Sequence, residues 1–160
     1  MSESERYLTR SAVMLFLLRE REGKREILLQ KRQNTGYADG RWDCGCSGHV
    51  DEGESMKQAM AREAAEELGI SIALPDLEFA CMVHKHTPET GIVYYNGFFS
   101  ACRYGGTPEI REPEKCAGLR WFDVEALPES FLPDRKLALD CYFAGVPYTE
   151  TGWPYQEAGK

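Results

Sequence analysis

The chain has 160 residues with 42% hydrophobic content, and its 26 acidic and 19 basic side chains give a formal net charge of -7. This size and apolar content predict one globular domain over residues 1–160, with a core of its own. The negative charge, without a basic stripe that carries interleaved aromatic residues, argues against nucleic acid as a partner. The apolar run at residues 12–18 is too short for a membrane span or a signal sequence, so we expect a cytoplasmic protein with no membrane partner.

The predicted elements begin with a β-hairpin. Residues 11–18 and 25–32 are apolar segments separated by a charged turn. Residues 34–41 (NTGYADGR) predict an exposed loop that leads into a strand over residues 42–50. The remaining predictions are strands over 78–86, 93–103 and 119–122, a turn at 86–91, a loop at 105–115 and a helix over 134–143. No element is predicted after Pro147. Strands combined with at least two helices indicate a mixed α+β domain or an α/β/α layered domain.

The six cysteines are Cys44, Cys46, Cys81, Cys102, Cys116 and Cys141. A chain of this length with this many core residues does not need a disulfide framework, so we interpret them as reduced thiols. Cys44 and Cys46 have no second pair at zinc-finger spacing. Alternate residues of a strand share one face, so core packing is favoured over metal binding for this pair.

Residues 54–68 predict a helix that is rich in carboxylates. The segment contains no proline and no glycine, and Gly69 stands where a C-terminal cap belongs. At helical spacing Glu63, Glu66 and Glu67 share one face. Like charges at this spacing destabilise an isolated helix, and a hard divalent cation with oxygen ligands is the natural compensation. The spacing therefore indicates a metal site.

This stretch resembles the signature of the Nudix (MutT-like) hydrolases. The pattern is Gly48, five residues, Glu54, seven residues and then Arg62-Glu63-Ala64-Ala65-Glu66-Glu67-Leu68-Gly69-Ile70, and it matches all seven fixed positions of the signature. The preceding hairpin and the later Trp121-Phe122 strand are also similar to this family. The resemblance implies an α/β fold, an α/β/α sandwich with a mixed sheet and the catalytic signature on a loop-helix-loop.

The resemblance also implies an activity. Nudix enzymes use Mg²⁺ or Mn²⁺ to hydrolyse a nucleoside diphosphate linked to a group X, with water attacking phosphorus. The implied metal ligands are Glu63, Glu66, Glu67 and the backbone carbonyl of Ser47. Arg62 is implied to orient a carboxylate, and Glu54 to support the cations. The family often takes its general base from a downstream loop, so Glu112 and Glu114 are candidates beside Glu67 itself, and Glu114 is the preferred one.

The candidate substrate-binding residues lie outside the signature. Lys31 and Arg32 are candidates for contact with phosphate, or they simply flank a strand end. Tyr37, Trp42 and Phe98 are candidates for stacking on a base, although such residues are more often core or loop anchors.

The segment around Asp134 bears on the substrate. Leu132-Pro133-Asp134-Arg135 is similar to the Trp-Pro-Asp-Asp with which the oxidised-purine triphosphatases of animals bind a base, so Asp134 is a candidate reader of a base edge. The missing tryptophan and second aspartate argue against oxidised-purine specificity. Segments typical of the NADH, coenzyme A, ADP-ribose and diadenosine polyphosphate groups are absent. A nucleoside triphosphate, modified or not, is therefore the favoured small-molecule substrate.

Two alternatives to hydrolysis stay open. Isopentenyl-diphosphate isomerases share the fold and read Cys-Gly-His-Pro where this chain reads Ser47-Gly48-His49-Val50, with Cys46 one place early. A noncatalytic Nudix-like sensor module would typically have lost signature carboxylates, and none is lost here. His84 and His86 share a strand face without a third partner, so we interpret them as packing or surface residues rather than metal ligands.

Overall fold

The computed structural model describes residue 2 and residues 5–155. Its strands are β1 Arg10–Arg21, β2 Lys24–Arg32, β3 Trp42–Cys44, β4 Cys46–His49, β5 Glu78–His86, β6 Val93–Ala101, β7 Cys116–Asp123 and β8 Tyr148–Thr151. Its two long helices are α1 Met56–Leu68 and α2 Pro133–Phe143. Within the described part of the chain, no helix is both long and apolar enough to cross a membrane.

The strands form a mixed sheet with the order β3-β2-β1-β6-β5-β8. β1 runs parallel to β6, β5 runs parallel to β8, and the other pairs are antiparallel. β4 pairs with the first half of β1, and β2 pairs with its second half. β7 lies beside β2. The mixed sheet predicted from the sequence is confirmed.

The alternation of β1 places a core on each face of the sheet. Val13, Leu15 and Leu17 pack with α1. The residues between them, Met14 and Phe16, pack with α2. Successive side chains of a strand point to opposite faces, so one apolar strand serves both cores. The result is the predicted α/β/α sandwich.

The strand predicted over residues 42–50 is instead two short strands that separate at Gly45. A Cβ at Gly45 would lie 3.0 Å from the carbonyl oxygen of Leu28, so the chain passes close to β2 as it changes its partner strand. Cys44 therefore belongs to the α2-side core and Cys46 to the α1-side core. Both thiols are buried as packing groups, but the expectation that they share one face is wrong.

Helix α1 is fixed at both ends by its own sequence. Ser55 caps the N-terminus, because its hydroxyl accepts from the N–H of Gln58 (3.2 Å) while the Gln58 side chain accepts from the N–H of Ser55 (2.8 Å). Gly69 adopts the left-handed conformation (φ 69°) that ends the helix. The helix was predicted from residue 54 but begins at Met56, so Glu54 lies in the preceding loop.

The chain after Pro147 adds strand β8, which runs parallel to β5 at the sheet edge. Four residues are too few for a recognisable period, so no pattern predicted it. The histidines on this edge are packing residues, as expected. His84 stacks on Tyr95 with ring centroids 4.4 Å apart, and His86 stacks on Trp153 at 5.0 Å.

Candidate active site

A cavity of about 630 Å³ opens between α1, β4 and the loop that precedes β7. Helix α1 contributes Glu63, Glu66 and Glu67, β4 contributes Ser47, and the loop contributes Glu112. We call this space the carboxylate cavity. Two walls of the cavity are regular secondary structure: α1, which is capped at both ends, and β4, which pairs with β1.

Arg62 organises the acidic residues around the cavity. Its Nε and Nη2 donate to the two carboxylate oxygens of Glu54 at 3.0 and 2.7 Å. Its Nη1 donates to Glu63 (2.8 Å) and to Glu66 (3.2 Å). The bidentate bond from Arg62, with a further bond from the N–H of Asp51, lowers the pKa of Glu54 to about 2. Arg62 therefore holds carboxylates on both sides of the loop-helix junction in place.

Glu67 is less exposed than the adjacent Glu66 on α1. Its Oε2 accepts from the backbone N–H of Ser47 at 3.2 Å. Burial raises its pKa to about 8 in spite of that bond, and the negative charges of Glu63 and Glu112 act in the same direction. Burial also raises the pKa of Glu63, against the opposing effect of Arg62. These carboxylates are therefore costly to ionise together without a nearby positive charge.

The chemistry of this donor set fits a hard divalent cation, because carboxylate and carbonyl oxygens are the ligands that Mg²⁺ and Mn²⁺ take. Within residue 2 and residues 5–155, no three His, Cys, Asp or Glu side chains already converge as a ready-made ion site. The guanidinium of Arg62 is instead the positive group in contact with Glu63 and Glu66. The raised pKa values of Glu63 and Glu67 show where additional positive charge would be stabilising.

The loop before β7 presents Glu112, rather than Glu114, to the carboxylate cavity. The N–H of Lys115 donates to the carbonyl of Glu112 (3.0 Å), which turns the chain between the two glutamates. Glu114 is exposed, and its carbonyl accepts from the Asn34 side chain at 3.0 Å. This placement does not support the sequence-based preference for Glu114. The sequence pattern could not distinguish the two glutamates, because the turn between them decides which one lines the cavity.

A second cavity of about 400 Å³ lies on the α2 side of the sheet. It meets the carboxylate cavity at β4, where both are lined by Ser47, Gly48 and His49. Of the predicted substrate-binding residues, Arg32 and Tyr37 line this second cavity. Lys31 and Asp134 line neither cavity in the described part of the chain.

Arg32 is tied to a buried aspartate that the sequence analysis did not single out. Its Nη1 donates to Asp43 at 2.8 Å, and its Nε donates to the carbonyl of Tyr37 at 2.8 Å. Asp43 has no exposed surface, and its other oxygen accepts from Nε of Arg135 at 2.9 Å. The sequence did contain a signal for this pairing, since Asp43 lies between Trp42 and Cys44 in an apolar strand. A charge buried in such a strand requires a charged partner.

Asp134 belongs to the same network of ion pairs. Its carboxylate is bonded to protein side chains, although the sequence suggested it as a reader of a base edge. Its Oδ2 accepts from Arg135 (2.5 Å) and from Lys85 (3.3 Å). Although burial alone would raise it, the charges of Arg135 and Lys85 hold the pKa of Asp134 below its ordinary value. The carboxylate is therefore ionised and paired at neutral pH.

Two of the stacking candidates belong to the core. Trp42 packs edge-on against Phe122 with centroids 4.9 Å apart, and Phe98 has no exposed surface and stacks on Phe16 at 5.2 Å. Phe98 is therefore a core residue, and Trp42 packs against the core on the α2 side. Tyr37 is different, because it is 46% exposed at the second cavity.

Residues 8–141 match the model of the NUDIX domain family. The chain is 25% identical over 140 residues to the isopentenyl-diphosphate Delta-isomerase of Aliivibrio fischeri (strain MJ11), which covers 79% of this chain and 76% of that relative. It is 31% identical over 106 residues to the oxidized purine nucleoside triphosphate hydrolase of Mus musculus, covering 66% of this chain and 62% of that relative.

A solved structure gives the same result for the fold. The crystal structure of a MutT NUDIX hydrolase from Burkholderia pseudomallei aligns with a TM-score of 0.73 at 28% identity, over 84% of this chain and 98% of that chain. The agreement includes the mixed sheet with a helix on each face. The chain therefore belongs to the NUDIX domain family, as a hydrolase that acts on phosphoric anhydrides.

Proposed function

We propose that the chain hydrolyses a nucleoside diphosphate linked to a group X, with a nucleoside triphosphate as the favoured substrate and Mg²⁺ or Mn²⁺ as the cofactor. The products are a nucleoside monophosphate and P-X, or pyrophosphate when the substrate is a triphosphate. The observation that carries the proposal is that four glutamates, Glu63, Glu66, Glu67 and Glu112, line one cavity. The negative charge of this cavity would repel a polyphosphate in the absence of cations.

Glu63, Glu66 and Glu67, with the carbonyl of Ser47, are the groups that would hold the cations. When bound, the cations would neutralise the diphosphate oxygens and make phosphorus more susceptible to attack. Arg62 keeps the Glu63 carboxylate in position through the 2.8 Å bond and is itself fixed by the bidentate bond to Glu54. Preorganisation of this kind spares the site from reorganising during the reaction.

We assign the proton from the attacking water to Glu112. Water attacks phosphorus, the bond from phosphorus to the leaving phosphate oxygen breaks, and the carboxylate of Glu112 takes the proton that water loses. Glu112 lines the same cavity as Glu63 and Glu67, and its charge acts on the pKa of both. Lys115 lines the cavity as well and offers a positive charge to the leaving phosphate.

The buried position of Cys46 favours hydrolysis over isomerisation. Its side chain has no exposed surface and lies in the α1-side core, where burial raises the pKa of the thiol well above its ordinary range. Ser47 occupies the neighbouring position at the wall of the carboxylate cavity. The position at which the isomerase signature has its cysteine is therefore occupied by a serine in this chain.

A substrate screen tests the proposal. Purified protein with Mg²⁺ is incubated with canonical and modified nucleoside triphosphates, nucleotide sugars, ADP-ribose, dinucleoside polyphosphates and isopentenyl diphosphate, and the products are separated by chromatography. We expect nucleoside monophosphate plus pyrophosphate or P-X, no turnover in excess chelator, and ¹⁸O from labelled water on phosphorus. Full turnover in chelator, or isomerised isopentenyl diphosphate without hydrolysis, would contradict the proposal.

A further inference from the structure

Asn96, on strand β6, carries a buried oxygen without a partner. The residue is 2% exposed and lies in the sheet between Ala12 of β1 and Val83 of β5. Its Oδ1 accepts no hydrogen bond from any residue that the structure describes. Asn96 also lines the second cavity, so a molecule bound there lies beside this residue. A buried acceptor left unpaired is destabilising, and a ligand donor would remove that cost.

The charges around the second cavity indicate what else the ligand carries. Among the described residues, four cationic side chains and no carboxylate line it; the cations are Arg10, Arg32, Lys85 and Arg135. Asp43 and Asp134 are paired with three of these cations, which leaves an excess of positive charge. Such a lining favours a ligand with oxygen acceptors at its edge.

The remaining walls favour a flat ring over a phosphate or a sugar. Ala12, Met14 and Ile92 supply apolar surface, and Tyr37 and Tyr94 supply aromatic rings. Apolar and aromatic surface combined with a few polar groups is the usual environment of a bound heterocycle.

We propose that the second cavity holds the base of the substrate and that Asn96 selects bases with a ring N–H beside a carbonyl. Guanine, hypoxanthine and uracil have this edge, whereas adenine does not. The ring N–H donates to Oδ1 of Asn96, and the carbonyl oxygen faces the cationic lining. The inference deepens the proposed function, because the two cavities meet at Ser47, Gly48 and His49 and a nucleotide would extend from one into the other.

Binding of nucleoside monophosphates without metal tests this selection directly. Titration calorimetry in chelator compares GMP, IMP and UMP with AMP, for the native protein and for Asn96→Leu. We expect each of the three to bind roughly 10-fold or more tightly than AMP, because adenine presents an acceptor nitrogen where these bases present a ring N–H and a donor amine where they present a carbonyl. Asn96→Leu should abolish the preference while leaving Tm unchanged or higher, since the variant removes an unpaired polar group.

Ser100→Ala is the matched control. Ser100 is a buried polar residue of the same strand, it shares a hydrogen bond with the hydroxyl of Tyr142 (2.9 Å), and it lies outside the second cavity. This variant should lower Tm and keep the base preference. AMP that binds as tightly as GMP to the native protein, no binding by any monophosphate, or a preference that survives in Asn96→Leu would each overturn the inference.

The two proposals fail separately. A base preference in the binding experiment, with no hydrolysis of any triphosphate, would refute the proposed function and support the role of Asn96. Hydrolysis of triphosphates without a base preference in binding would support the proposed function and refute the role of Asn96.

Discussion

The side chain of Glu63 lies directly against the backbone of Gly48. A Cβ at position 48 would lie 2.1 Å from Cδ and 2.2 Å from Oε1 of Glu63, distances at which real atoms do not coexist. The absence of a side chain on β4 therefore allows a carboxylate of α1 to reach the wall of the carboxylate cavity. This contact gives the signature glycine a physical role.

Gly48→Ala should displace Glu63 and reduce kcat/KM by about 10²-fold, because small misplacements at a reacting centre are costly. Steady-state kinetics with the substrate found in the screen would measure the loss, and circular dichroism would show that the fold persists. Gly118→Ala is the control. A Cβ there would meet Trp42 at 3.6 Å, an ordinary contact, so its kinetics should match the native protein. Equal activity of both variants would contradict the role assigned to Gly48.

Glu63→Gln and Glu67→Gln should each reduce kcat by at least about 10²-fold, because each removes a charge that the proposed cations need. The fold should persist, since Gln fills the space of Glu. Glu109→Gln is the control. Glu109 is exposed, lies outside the cavity lining, and its carboxylate is 2.9 Å from Nε of Arg111. Near-native kcat in either signature variant would argue against the proposed metal site.

The two loop glutamates form a natural pair of variants. Glu112→Gln should reduce kcat by roughly 10²-fold, because it removes the proposed proton acceptor from the cavity. Glu114→Gln should be nearly silent, since Glu114 is exposed and lies outside the cavity lining. The reverse result would move the base to Glu114, and two silent variants would rule out a base in this loop.

The raised pKa of Glu67 predicts how stability depends on pH in the metal-free protein. The ordinary value is 4.5 and the folded value is about 8, so the folded state holds this proton more tightly than the unfolded state does. The stabilisation is fully present below pH 4.5 and is lost as the pH rises toward 8, with a slope of at most about 1.4 kcal/mol per pH unit for one proton. Thermal unfolding in chelator at pH 6 and pH 8 would measure this loss.

Glu67→Gln carries no titrating group at this position, so its Tm should fall less between the two pH values. Added Mg²⁺ should raise the Tm of the native protein more at pH 8 than at pH 6. Parallel curves for the native protein and Glu67→Gln would show that Glu67 does not titrate in this window.

The buried pair of Asp43 and Arg135 should be critical for stability. Arg135→Leu leaves the fully buried Asp43 with Arg32 as its remaining cationic partner, and loss of one partner of a buried pair typically costs roughly 3–5 kcal/mol. Lys136→Ala, one residue later, breaks an exposed pair with Asp140 and should cost about 0.5 kcal/mol or less. Denaturant unfolding would measure both free energies. Similar losses in the two variants would contradict the structural role of Arg135.

Helix α1 and its carboxylates followed from the sequence because every interaction that defines them is local. The cap at Ser55, the stop at Gly69 and the i, i+3 and i+4 spacing of the glutamates act within one or two turns. The strand prediction for residues 11–18 was equally local, because it rested on the apolar residues of that segment alone. Features that depend only on residues close in the chain can be predicted from a sequence pattern.

Contacts between distant segments were decided by the tertiary structure. Asp43 and Arg135 are 92 residues apart, and only the packing of α2 on the sheet brings them together. The break at Gly45 separates Cys44 from Cys46 because the chain changes its partner strand there. A local pattern contains no information about such partners.

The sequence by itself determined the family signature, the carboxylate helix and the mixed α/β architecture. The tertiary structure decided which loop glutamate lines the carboxylate cavity, and that Asn96 lines the second cavity and has a buried oxygen without a partner among the described residues. The physical reason is that secondary structure depends on neighbours within a few residues. The direction and solvation of a side chain depend instead on what the rest of the fold places around it.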